Sequence, residues 1–86
     1  MNVLIIEDEK AAVRRLKNLL QELEEGLNIV GIIKKIKNTI RWFEENPRPD
    51  MAFFDIQLAD GSSFEVFEKV DVKCPVIFTT AYDQYA

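Results

Sequence analysis

The sequence predicts an α/β fold built as a doubly wound parallel sheet, and three observations carry that expectation. Short apolar runs without polar alternation recur along the chain, and stretches of helical periodicity separate them. Acids or hydroxyl residues follow these runs at their carboxyl ends. Strands that alternate with helices form parallel βαβ units. Parallel strands covered on both faces read as continuous β-branched runs.

The elements follow in order. Val3-Leu4-Ile5-Ile6 is the first buried strand. From Lys10 the period changes: Ala12, Val13, Leu16, Leu19, Leu20 and Leu23 fall at helical spacing, and Gly26 sits where a helix stops. Asn28 to Ile33 reads as a second strand. Ile36, Ile40 and Phe43 mark one face of a second helix, closed by Asn46-Pro47. Trp42 lies beside that stripe and reads as packing. The basic run Lys34-Lys35-Ile36-Lys37 reads as a solvated approach to the helix, with a partner contact as the alternative. Met51 to Phe54 is the third strand, ending at Asp55. Ala59-Asp60-Gly61 is loop chemistry, and Ser62-Ser63-Phe64-Glu65 has the pattern of a capping box opening a third helix. That helix is expected to bury Phe64, Phe67 and Val70. Pro75 cannot donate a ladder hydrogen bond, so it opens the fourth strand, Val76 to Thr80.

Composition narrows the function classes. A chain of 86 residues, 48% hydrophobic, supports one core, so residues 1–86 are read as a single domain. Residues 1–43 carry 8 basic and 6 acidic side chains, whereas residues 44–86 carry 3 and 9. An acidic second half argues against gripping a phosphate backbone, so no nucleic-acid partner is expected for this chain. One cysteine, Cys74, excludes an internal disulfide, and the absence of His removes the usual zinc sites. Cys74 precedes a proline with no base to activate it and reads as an inert thiol. The start MNVLIIEDE does not have the pattern of a signal peptide, and no apolar run is long enough to span a bilayer. The expected setting is cytoplasmic, without a membrane partner.

Ligands of such sheets bind outside the carboxyl ends of the strands. There the chain places Glu7-Asp8 after the first strand, Asp55 after the third, and Thr79-Thr80-Ala81 after the fourth. Each has an ordinary structural explanation: acids favour a helix N-terminus, Asp suits turns, and threonine suits strands. Their shared position joins them. Two like charges about 4 Å apart repel by roughly 4 kcal/mol at an effective dielectric of about 20. A small domain has only about 5–15 kcal/mol of stability in all. Such a cluster therefore calls for a cation or a protonated carboxylate, and an oxygen-only donor set suits Mg²⁺.

These residues resemble the receiver domains of two-component response regulators. The acidic pair after VLII, the FFDIQLADG segment around Asp55 and the TTA at 79–81 stand in receiver order, and VIFTTAYDQYA resembles the LytTR-type subgroup. The resemblance covers Met1 to Ala86 and implies a flavodoxin-like strand order. It also implies that Asp55 accepts a phosphoryl group from a phosphohistidine on a sensor histidine kinase. Asp8 and Asp55 would ligate Mg²⁺ together with the backbone carbonyl of Gln57, and Glu7 would hold the ion through water. Thr80 would be the switch hydroxyl, and Ala81 would supply a backbone amide beside the phosphoryl group. Such a protein accepts a group and is not a turnover enzyme.

The chain departs from the family pattern in two places. Ala59 stands where many relatives have proline. The fifth strand with its lysine, the fifth helix and the DNA-binding output domain of the LytTR subgroup have no counterpart in residues 1–86. On that reading the domain is incomplete at its C-terminal end, and the uncovered fourth strand leads us to expect a homodimer or a swapped assembly. Two alternatives change the role, and the first of them keeps the fold. One is an interaction module that is not phosphorylated. The other is a phosphohydrolase fragment of haloacid-dehalogenase type, disfavoured because Gln57 stands where that pattern wants a second Asp.

Overall fold

The structure is a computed structural model that describes residues 1–79. In chain order the elements are β1 (Asn2–Ile6), α1 (Lys10–Leu23), β2 (Asn28–Ile33), α2 (Ile36–Glu45), β3 (Met51–Asp55), β4 (Gln57–Leu58), β5 (Gly61–Ser62), α3 (Phe64–Lys69) and β6 (Val76–Thr79). The main sheet runs β2-β1-β3-β6 with every pair parallel. Winding outward from β1 in both directions is the doubly wound order expected from sequence. The short pair β4–β5 is antiparallel and lies outside that sheet.

Two-sided burial explains the unalternated strands. Leu4 and Ile6 of β1 join Ala52 and Phe54 of β3 under α2 and α3, in a cluster with Ile33, Ile36, Leu58 and Val66. Val3 and Ile5 face the other way, with Phe53, onto Val13 and Leu20 of α1. Phe54 is fully buried and stacks against Phe43, with ring centroids 6.3 Å apart. Trp42 packs at the margin of the same cluster, as expected. Gly31 of β2 leaves the space that Leu4 and Trp42 fill, because a Cβ there would lie 3.0 Å from Leu4 Cδ1.

The helix ends follow local chemistry in part. Gly26 takes φ +84°, a left-handed turn that suits glycine, just beyond α1. Asn46 ends α2 by donating from its side chain to the Trp42 carbonyl at 3.0 Å. Pro75 does open β6, its carbonyl accepting from the Ala52 amide at 3.0 Å. Cys74 is half-buried, and burial pushes its thiol above the ordinary range.

Two expectations for α3 are corrected. Ser62 and Glu65 do not form a capping box, since the residue flanking the helix is Ser63, in a helical conformation without a side-chain cap. The Ser63 hydroxyl donates instead to the Ile56 carbonyl at 3.1 Å, and the Ser62 hydroxyl accepts from the Phe64 amide. Nor does α3 bury Phe64 and Phe67, which are 52% and 37% exposed. The buried residue is Val66 at 0%, with Val70 one turn on packed against the same core. A six-residue helix has room for one inward stripe, and positions 66 and 70 occupy it. Phe64 lies to one side, against the Phe78 ring at 5.3 Å, while Phe67 bridges the Phe78 ring at 5.8 Å and the edge of the core at Phe54, 5.2 Å away. In α1, likewise, Val13 and Leu20 are buried while Leu19 and Leu23 stay exposed.

The corrected face of α3 has a measurable consequence. Val66→Ala should cost about 2 kcal/mol of stability, from lost transfer free energy and the void it leaves. Phe64→Ala should cost less than about 1 kcal/mol, although it removes the larger side chain. Urea unfolding of the two variants checks the order, and a larger loss at Phe64 would restore the original assignment.

Candidate functional site

The carboxyl ends of β1 and β3 are adjacent because the two strands pair in register, Ile6 beside Phe54. Each strand exhausts its apolar residues at the same level, and the next residues are Glu7, Asp8 and Asp55. One carboxylate oxygen from each lies within 4.8 Å of the other two. The sheet thus converts two separate sequence motifs into one cluster.

The backbone orients each acid. The Glu7 amide donates to the Ile33 carbonyl at 2.9 Å, which extends the β1–β2 ladder to the base of the site. Glu7 is 9% exposed, and its Oε2 accepts from the Asp8 and Glu9 amides at 3.0 and 3.2 Å. Asp55 is the last residue of β3 and sits opposite Thr79. Its Oδ1 accepts a long 3.4 Å bond from the Gln57 amide. The Ile56 amide donates to the Thr79 carbonyl at 3.3 Å, tying the start of the following loop to β6.

Burial is the largest cause that raises the Glu7 carboxyl from its ordinary value of 4.5 to about 7. The neighbouring Asp55 and Asp8 carboxylates push the same way, while the Glu9 amide opposes them. The electrostatic tension is relieved by a proton or by a cation. Three carboxylates, with no thiolate or imidazole among them, form a hard-oxygen donor set that fits Mg²⁺.

A cleft of about 580 Å³ opens over the cluster, lined also by Gln57, Thr79 and the aliphatic residues Ala12 and Leu16 of α1. Arg15 of α1 lines it as well, a cation that the motif pattern gives no reason to single out. Thr80 and Ala81 lie outside the described residues. No helix among the described residues is long and apolar enough to cross a membrane.

Comparisons with known proteins bear on the family and the fold. The family described as the response regulator receiver domain matches residues 3–86. The sensory transduction protein LytT of Bacillus anthracis is 36% identical over 89 residues, covering 100% of this chain and 35% of that protein. The phyllosphere-induced regulator PhyR of Methylorubrum extorquens is 37% identical over 87 residues, covering 95% of this chain and 31% of that protein. Among solved structures, the response regulator PhyR of Brucella abortus superposes with a TM-score of 0.78 at 33% identity, over 94% of this chain and 33% of that one. The receiver domain of Erythrobacter litoralis PhyR gives 0.72 at 36% identity, over 98% and 65%.

A parallel sheet in this order is the fold shared with those solved receiver-containing structures. The chain belongs to the response-regulator receiver family of two-component signalling, and its similarity to LytT supports the LytTR-type resemblance. It spans about a third of the length of these curated relatives.

The raised Glu7 pKa sets a pH dependence. Between about pH 4.5 and 7 the folded protein holds a proton at Glu7 that the unfolded chain has lost. Stability from this group is therefore full below pH 4.5 and is lost as pH rises through 7. In a chelating buffer without divalent ions, Glu7→Gln should gain stability relative to the parent between pH 5 and 8. Thermal melts across that range check it, and a parallel course for the two proteins would remove Glu7 as the cause.

Proposed function

We propose that this chain is a phosphoacceptor: a carboxylate oxygen of Asp55 attacks the phosphorus of a phosphohistidine on a sensor histidine kinase. A P–O bond to Asp55 forms as the P–N bond breaks, and the imidazole leaves with the bonding pair. Asp8, Asp55 and the Gln57 carbonyl would hold Mg²⁺, with Glu7 acting through water. The ion supplies charge neutralisation for the phosphoryl oxygens, which is most of what phosphoryl transfer asks of a protein. Thr80 and Ala81 take the switch-hydroxyl and backbone-amide roles on the strength of the family resemblance. The working compartment is the cytoplasm, where such kinases present their histidine.

The single observation that carries this reading is the meeting of Glu7, Asp8 and Asp55 at the ends of two paired strands. The test is incubation with Mg²⁺ and a small acyl phosphate, followed by intact-protein mass spectrometry. Gain of one phosphoryl group, mapped to Asp55, supports it; no gain would favour the interaction module.

Asp55→Asn should abolish that gain and weaken Mg²⁺ by roughly 10-fold or more, a loss of about 1.4 kcal/mol. The same change should stabilise the metal-free protein by about 1 kcal/mol, since it removes one repelling charge. The melting temperature would then rise by about 4–8 °C, and a fall would count against the cluster. Thr80→Ala should leave Mg²⁺ affinity nearly unchanged while impairing the response to phosphorylation, because its hydroxyl is assigned to the phosphoryl group. Equal loss of metal affinity in both variants would refute that assignment.

A further inference from the structure

Helix α2 begins without a cap of its own. Lys35 flanks it with no side-chain cap bond, and its first turn contains no acid. Lys34, Lys35 and Lys37 instead crowd the end where the helix dipole is already positive. The missing acceptor arrives from 24 residues away, as both carboxylate oxygens of Asp60 accept from the Ile36 amide, at 3.1 and 3.0 Å.

Asp60 stands at the turn of the β4–β5 hairpin, which begins two residues after Asp55. Gln57 pairs with Ser62 and Leu58 with Gly61, leaving Ala59 and Asp60 at the tip. The base of the hairpin is anchored by the Ser63 amide and hydroxyl on the Ile56 carbonyl, at 2.8 and 3.1 Å. Among the described residues, the Asp60 bonds are the hydrogen bonds that tie the tip to another element. Packing reinforces them at Gly61. This residue has φ +140°, and a Cβ there would lie 3.1 Å from Ile36 Cδ1 and 2.9 Å from Glu65 Oε2.

We propose that Asp60 is a positioning residue that couples the Asp55 site to α2, by fixing the hairpin whose first strand carries the Gln57 carbonyl. The coupling rests on the reading of Asp55 and Gln57 as Mg²⁺ ligands. The carbonyl lies between the anchored base and the tip that Asp60 secures. Loss of the tip anchor frees residues 57–61 to shift and withdraws one donor from the ion. Linkage makes the effect reciprocal: an ion held by the Gln57 carbonyl steadies the hairpin and tightens the α2 cap.

The test compares Mg²⁺ affinity by calorimetry with hydrogen exchange at the Ile36 amide, with and without Mg²⁺. In the parent chain, saturating Mg²⁺ should slow exchange at Ile36. Asp60→Ala should weaken Mg²⁺ by about fivefold or more and abolish the Mg²⁺ dependence of that exchange. Asp60→Asn, which retains an oxygen acceptor, should recover most of the affinity. Adding Lys35→Ser to Asp60→Ala separates positioning from helix stability, because serine gives α2 a local cap without restoring the tether. Mg²⁺ affinity that stays low in this double variant supports the coupling. Affinity unchanged in Asp60→Ala, or restored in the double variant, overturns it and leaves Asp60 a helix cap alone. A parent chain that binds no Mg²⁺ overturns the ligand assignment and the coupling together.

Discussion

The parallel pairing of Val3–Ile6 with Met51–Phe54 is the constraint on which the rest of the molecule depends. Both strands are apolar on both faces, so helices must cover each side, and the sheet becomes the middle layer of three. Parallel direction also brings both carboxyl ends to the same edge. Apolar burial ends there at Ile6 and Phe54, and the chain places its acids immediately beyond. The core thus supplies the attraction that holds three repelling carboxylates together. A cation bound there would use an arrangement that hydrophobic packing has already imposed.

Most of the fold was legible because the signals were local. The strands at Val3–Ile6, Asn28–Ile33 and Met51–Asp55 and the helices beginning at Lys10 and Ile36 follow from runs and periods within a few residues. The site was legible for a related reason: when strands are parallel, the residue after each apolar run must lie on the ligand-binding edge. That rule and the resemblance both point to Glu7, Asp8 and Asp55, which the structure brings together, whereas Gln57 is named by the resemblance alone.

What was not legible depended on distant packing. The serines before α3 present a capping pattern, yet Ile56 lies within reach of the Ser63 hydroxyl and takes it. Phe64 and Phe67 outrank Val66 in hydrophobicity, but the approach of α3 to the sheet decides which side chain turns inward. Arg15 shares the cleft with the acids only once α1 lies across the sheet. The capping role of Asp60 is invisible in its own neighbourhood. The available sign was negative, a predicted helix preceded by lysines with no acceptor of its own.

The supply of that acceptor from afar bears on the order in which the chain gains structure. Ten residues with an uncapped, positively charged start make a weak autonomous helix. A cap that arrives across 24 residues contributes only after the intervening loop has closed, at a cost in chain entropy. Pairing of β1 with β3 must close a longer loop still, because Val3 meets Met51. Helix α2 therefore gains its cap only with tertiary structure, once the β4–β5 hairpin is in position. The contact map is correspondingly non-local, a topology that slows folding relative to a helical bundle of similar length.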